Sequence, residues 1–329
     1  MFALGLLTCI VLGALSAQAK VSNDFDCKEF FYKDIEPTGM DQNAKKICQW
    51  TSKPSYYYAT LYSVHHRIPL YSAYRFDPAC SSDSGSSSTW HLEPQISQPT
   101  SQMYYMVRED QKTQKSYKEN QAISSDYTDS GFDRGHLYPN SFQCSDGRTA
   151  TFTLTNAAPM DRCFNRIHWK DWESALRSFL EGKLKSGGAS TTAYIVTGIV
   201  PSATERIPRR GTSGDSGRVT VPSHIWTAVC YKHNSDDTKS FSFSYMGENK
   251  PEPGIRLMSV SDLNNQLKGL YSGNPKIKIF KDDCFGDTKS DEVKTKFQKL
   301  MSLDVPNTLK RTSSSDSLSS KTNVKVKKN

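Results

Sequence analysis

The chain has 329 residues, a formal net charge of +8 and a hydrophobic fraction of 36%. That length suits one large domain or two small ones, and beyond the first nineteen residues no apolar run approaches the roughly 20 residues of a membrane span. A multi-span membrane protein is therefore excluded, and the expectation is a soluble mature chain with no stable membrane association.

The opening stretch, "MFALGLLTCIVLGALSAQA", is uncharged, carries an apolar run from Phe2 to Leu15 and closes on Ala17-Gln18-Ala19. This is the small-x-small ending that signal peptidase accepts, so residues 1–19 read as a secretory leader, with an uncleaved anchor as the rival reading. Of the eight cysteines, Cys9 leaves with the leader, and Cys27, Cys48, Cys80, Cys144, Cys163, Cys230 and Cys284 remain. In an oxidising compartment most of these pair and one is left over. Chain proximity suggests Cys27 with Cys48 and Cys230 with Cys284. A zinc site is the competing use, but no Cys-x-x-Cys spacing supports it.

In chain order, "YYYATLYS" (Tyr56–Ser63) and "IPLYSAYRF" (Ile68–Phe76) flank "VHHR" and predict a β-hairpin. His65 and His66 invite a metal reading, but neighbours on a strand face opposite ways, so they are expected at the hairpin end. A serine-rich loop follows from Ser81 to Ser88. A second loop carries "SGFDRGHLYPNS", which sets Asp133, Arg134, Gly135 and His136 side by side. "TATFTLTN" (Thr149–Asn156) is dense in β-branched residues and reads as a strand. From Asn165, Trp169, Trp172, Leu176, Phe179 and Leu180 recur at helical spacing, and Gly187-Gly188 supplies the stop. "TTAYIVTGIV" (Thr191–Val200) reads as a buried strand, and Val219–Tyr231 and Phe241–Gly247 extend the sheet pattern. Shorter helices are expected at Ser261–Leu270 and Ser290–Leu300. From Ser302 onward six Lys or Arg face two Asp, giving a basic, Ser/Lys-rich tail expected to be disordered. A mildly basic body with such a tail fits a polyanion partner without identifying one.

His136, Asn156, Asn165 and Glu173 follow one another as loop, strand end, helix start and helix. On a helix Asn165 and Glu173 lie on neighbouring faces two turns apart, because eight residues rotate by roughly 80° net. A hard divalent cation prefers oxygen ligands and retains waters, a neutral imidazole can accept a proton from water, and a guanidinium can fork a phosphate. Together they describe metal-assisted hydrolysis of a phosphodiester. Asn165 has a second use as a helix N-cap. The two roles compete for one oxygen, and a liganding Asn165 should sit inside the first turn.

These residues resemble the DNA/RNA non-specific endonucleases of the ββα-metal fold. The family signature Asp-Arg-Gly-His stands here as Asp133-Arg134-Gly135-His136, and "TLTNAAPMDRCFNRIHWKDWE" places Asn156, Asn165, Trp169 and Glu173 at matching spacing. The resemblance spans about Tyr56 to Gly247, and "RIPLYSAYRFDP", "WHLEPQI" and "TFTLTNAAPM" are similar to a secreted branch of that family. It implies an α+β fold with a central antiparallel β-sheet and a ββα-metal (His-Me finger type) active-site motif flanked by helices. The endonuclease domain would run over residues 20–285, with a short helix and the basic tail at 286–329. The resemblance further implies that His136 is the general base and that Asn165 ligates one Mg²⁺, with Mn²⁺ as an alternative. Glu173 would orient the metal's waters, while Arg134 and Asn156 would help hold the phosphate and shape the site, with Asp133 completing the motif. The expected substrate is DNA or RNA, cut with little sequence specificity to leave 5′-phosphate and 3′-hydroxyl ends. Two positions depart from the pattern. Ser88 or Thr89 stands where relatives of the bacterial type carry a further arginine, for which Arg75 is a conceivable substitute, and Met160 replaces a glutamine. Members of the secreted branch include some that have lost the histidine. The alternative function is therefore a catalytically weak or inactive secreted module that binds nucleic acid or another polyanion, or a protein partner.

Overall fold

The structure, a computed structural model, describes residues 21–303 apart from 42, 52–54, 81–87, 189, 210–214, 272, 274 and 287–289. Residues 1–19, expected to be a leader, and the tail beyond residue 303 lie outside the described residues. Four strands open the chain: β1 (Val21–Ser22), β2 (Lys45–Trp50), β3 (Tyr56–Ser63) and β4 (Ile68–Arg75). A two-stranded ribbon, β5 (His91–Leu92) with β6 (Val107–Arg108), encloses helix α1 (Pro94–Ser97) and precedes α2 (Gln111–Tyr117). Next come β7 (Phe132–His136), α3 (Ser145–Thr151), β8 (Ala157–Asp161) and α4 (Lys170–Gly187). The chain returns to the sheet with β9 (Thr192–Ile207), β10 (Val219–Lys232), β11 (Phe241–Glu248) and β12 (Arg256–Met258), then ends in α5 (Val260–Leu270) and α6 (Ser290–Leu303).

Eight strands form one antiparallel sheet in the order β1-β2-β3-β4-β9-β10-β11-β12, so the fold is α+β. The β3–β4 hairpin closes as the sequence suggests. Ser63 pairs with Ile68, and Arg67 takes a left-handed φ of 55° where the chain reverses. His66 sits at that turn with its Nδ1 2.9 Å from the Thr220 hydroxyl. The sheet core is crowded with large side chains. At Gly198 of β9 an added Cβ would come within 2.2 Å of the Trp226 ring, so glycine is what lets that indole lie across the strand. Both pairings suggested by chain proximity are present, Cys27–Cys48 and Cys230–Cys284, and a third disulfide joins Cys80 to Cys144. Among the described residues Cys163 is the unpaired thiol. Among the described residues no helix is long and apolar enough to cross a membrane.

Helix α4 buries Ala175, Leu176, Phe179, Leu180 and Leu184 and stops at Gly188, whose φ is 85°. Helix α6 packs onto it through Phe297, whose ring lies 5.1 Å from Trp172. One expectation fails. Residues 149–156 do not form a strand; they run from the end of α3 into a 3-10 turn at Leu154–Asn156. Short polar side chains take over the bonds a strand partner would supply: Thr151 Oγ1 donates to Arg148 O at 2.8 Å and Asn156 Nδ2 to Thr151 O at 3.0 Å. Ser, Thr and Asn offer the backbone this local alternative, so β-branched composition misleads here. The segment is nevertheless buried, with Thr151, Thr153, Thr155 and Asn156 all at 0% exposure. It forms the floor on which the functional elements rest.

Candidate active site

The Asp-Arg-Gly-His motif lies on a strand rather than in a loop. β7 pairs antiparallel with β8, matching Asp133 to Met160, Arg134 to Pro159, Gly135 to Ala158 and His136 to Ala157. Strand alternation puts Phe132, Arg134 and His136 on one face and Asp133 with Gly135 on the other. Gly135 is required by packing, because a Cβ there would fall 2.2 Å from Met160 Sδ. Met160 is fully buried and fills the space over Gly135.

After β8 the chain enters a helix at Arg162. Asp161 caps it: its Oδ1 accepts from Cys163 N at 2.9 Å and Phe164 N at 3.0 Å. Asn165 is thereby relieved of capping and sits inside the first turn. Residues Phe164–Trp169 are wound as a π-helix before α4 continues, a wider turn often found at functional sites. The elements are thus β7, β8 and helix, in that order, with Asn249 tying β8 to the main sheet through Pro159 O and Pro222 O, both at 2.9 Å.

His136, Asn165 and Glu173 meet at one cavity of about 310 Å³, together with Pro139, Asn140, Ser141, Arg166 and Lys170. Asn165 Nδ2 donates to Asp133 Oδ2 at 3.1 Å, which fixes the amide and leaves its carbonyl oxygen without a described protein partner. Asp133 is itself clasped by Arg166, whose Nε and Nη2 each donate at 2.7 Å. Burial alone would raise the Asp133 carboxyl, but its bonds to Arg166 and Asn165 bring it below the usual carboxylate range. Burial pushes Glu173 up to about 8. The Trp169 indole N–H opposes that rise from close by, although it makes no hydrogen bond of ordinary geometry.

The imidazole of His136 is walled by aromatic rings, Trp90 at 5.0 Å and Phe152 at 4.8 Å. This apolar enclosure, with repulsion from Arg134 and Arg148, pushes it down to about 3, so the ring is neutral at ordinary pH. Its Nε2 is enclosed with no hydrogen-bond partner, which leaves Nδ1 as the nitrogen able to meet a group in the cavity. Arg134 stacks on Trp90, with Cζ 4.9 Å from the ring centroid, and donates from Nη1 to Ser124 Oγ at 2.7 Å. Glu109 in turn accepts from Ser124 N at 2.7 Å and from its hydroxyl.

Asn156 stands apart from these residues. It is buried at 0% exposure, and its Oδ1 accepts from Ser72 Oγ at 2.9 Å and Tyr138 N at 3.0 Å. Its Nδ2 donates to Tyr138 O at 3.1 Å and Thr151 O at 3.0 Å. With every polar atom so engaged it shapes the site from below and has nothing left for a phosphate. His168 is not among the cavity residues, since a widened π turn carries position i+3 away from Asn165's face. Arg75 is not either; it reaches Thr192 Oγ1 at 3.3 Å instead. A larger cavity of about 750 Å³ lies beside His66 and Tyr271 and holds no residue of the motif.

Comparison with known proteins decides the relationship. The sequence profile of the DNA/RNA non-specific endonucleases matches residues 41–275. The chain belongs to the DNA/RNA non-specific endonuclease family. Among curated members it is 33% identical over 276 residues to the human endonuclease domain-containing 1 protein and 31% identical over 275 residues to the mouse one. These alignments cover 82% of this chain but 50% of each relative, so the chain spans about half their length. A Nostoc nuclease is 32% identical over 106 residues, 31% of this chain and 33% of its own. A solved complex of EndoG with EndoGI aligns with a TM-score of 0.44 at 18% identity, over 63% of this chain and 80% of that one.

In this family member the oxygen donors suit a hard divalent cation. The Asn165 carbonyl, held outward by Asp133, and the Glu173 carboxyl face the same cavity. Among the described residues no group of three or more His, Cys, Asp or Glu could hold a metal. Two contributions escaped the sequence reading, the Trp90–Phe152 wall and the Arg166 clasp on Asp133. The position of Arg166 directly after Asn165 was the one available signal.

Proposed function

We propose that this protein is a secreted, divalent-metal-dependent endonuclease that hydrolyses phosphodiester bonds of DNA or RNA with little sequence preference. The observation that carries the reading is the meeting of His136, Asn165 and Glu173 at one cavity beside Arg134. His136 Nδ1 takes a proton from the attacking water. Arg134, steadied by Ser124 and Trp90, donates to a phosphate oxygen with its remaining N–H groups. Asn165 and Glu173 would hold a cation such as Mg²⁺, directly and through water. Such a cation would supply Lewis-acid stabilisation of the negative charge that builds on the phosphate and the leaving oxygen. Asp133 keeps the Asn165 carbonyl turned toward the cavity. Products would carry 5′-phosphate and 3′-hydroxyl ends. Contacts mainly to backbone phosphates account for the low specificity.

A second reading is a catalytically weak, polyanion-binding module of the same fold. It draws support from the low basicity of the enclosed imidazole, held at about 3. Incubating purified protein with supercoiled plasmid, with Mg²⁺ or with EDTA, beside His136→Ala of unchanged circular dichroism, decides between them. Nicking by the parent that needs metal and is lost in the variant supports the enzyme. Equal nicking by both removes His136 from the mechanism, and binding without nicking favours the module.

A further inference from the structure

A second cavity, of about 460 Å³, adjoins the one that holds His136, and Asn165 and Arg166 line both. Its walls are aromatic, from Trp90, Tyr127 and Phe132, and its polar edge comes from Ser124, Thr128 and Arg134. We infer that this cavity receives the base of an unpaired nucleotide next to the scissile phosphate, so that the preferred substrate is single-stranded nucleic acid or a locally opened duplex. The inference rests on the nuclease reading above and specifies its substrate.

Three observations carry it. First, Phe132, Arg134 and His136 stand on one face of β7 at two-residue intervals, roughly 6.6 Å apart. The guanidinium that would hold the phosphate thus stands between the imidazole and the phenyl ring, so a nucleotide held there by its phosphate can turn its base toward Phe132. Second, among the described residues β7 pairs with β8 alone, so no second strand covers its other edge. Third, Tyr127 is 6% exposed and its phenolic oxygen has no hydrogen-bond partner. A buried hydroxyl without a partner is costly in a folded protein, and a heteroatom on a base edge, reached by a small shift of the rings around it, would supply one. A paired base, stacked on both sides and bonded along its edge, could not enter between these walls, whereas an unpaired base finds aromatic faces to stack on.

The test is binding in EDTA, where no cleavage is needed, of a fluorescein-labelled single strand and a hairpin duplex of the same sequence, read by anisotropy. The native protein is expected to favour the single strand. Phe132→Ala should weaken single-strand binding roughly tenfold and duplex binding by less than about twofold. Tyr127→Phe removes one oxygen, so its melting temperature should hold or rise while single-strand affinity falls about three- to tenfold. If Phe132→Ala fails to fold, Tyr127→Phe decides alone. Single-strand binding unchanged in the folded variants, or lost equally on both probes, overturns the inference. The plasmid assay is read separately, so a protein that binds single strands through this cavity without cutting defeats the nuclease reading and not this one.

Discussion

Asn156 and Asn165 are the same side chain nine positions apart, one beneath the β7–β8 pair and one on its helical rim. Beneath, Asn156 holds two backbone carbonyls, a backbone N–H and the Ser72 hydroxyl together, and is sealed from solvent. On the rim, Asn165 spends its amide nitrogen on Asp133 and keeps its oxygen for the cavity. An amide whose donors and acceptors are all used is a structural joint; one held by a single bond is a positioned ligand. The family pattern marks both positions alike, and only the surroundings assign them different work.

The largest effect expected at the rim is on rate. His136→Ala should slow metal-dependent plasmid nicking by about 10²–10⁴-fold, and Asn165→Ala should follow it, both with urea midpoints close to the parent. An Asn165 variant that cuts normally but melts early would reverse the assignment. Beneath the sheet the effect is on stability: Asn156→Ala takes the Asn156 bond from two buried carbonyls and the Tyr138 N–H, while Ser72 keeps its bond to Thr60, and should cost about 3–5 kcal/mol in urea denaturation. Gly135→Ala sharpens the contrast, since it lies in the motif but acts through packing. The clash with Met160 should cost about 1–3 kcal/mol, and adding Met160→Ala should recover part of it in the same assay.

The smallest effect lies far from the site. Burial, with the neighbouring charges of His65 and Arg206 and despite Asp41, pushes His66 down to about 4. The unfolded chain then binds its proton near pH 6.5 and the folded one only near 4, so this stabilisation is present above pH 6.5 and is lost as pH falls from 6.5 toward 4. The residue is only partly buried, so screening reduces the contribution to roughly 1 kcal/mol. Thermal melts across that range should show a shallower acid slope for His66→Gln than for the parent.

Much of the site was legible because its markers are local. Asp-Arg-Gly-His is contiguous, and Asn165, Trp169 and Glu173 keep helical order, so their register survives without knowledge of packing. The main hairpin, the buried strands and two disulfides were legible for similar reasons of alternation and proximity. Residues 149–156 were not, because their Thr and Asn side chains satisfy the backbone locally and mimic a strand's composition without its pairing. Nor were the Arg166 clasp and the Trp90 wall, which join positions far apart in the chain. The capping role of Asp161 is local, two and three residues from its partners, yet Asn165 offered the same capping chemistry, and only the geometry settled which of the two caps the helix.

The π-wound turn from Phe164 to Trp169 sets the angular phase of everything after it. Such a turn holds about one residue more than an α turn, and removing one would rotate the upstream side chains by roughly 100° relative to α4. The indole of Trp169 and the carboxyl of Glu173 would keep their seats on the sheet, while the amide of Asn165 swung out of alignment with them. Evolutionary tinkering with this segment is thus constrained in length more tightly than in composition.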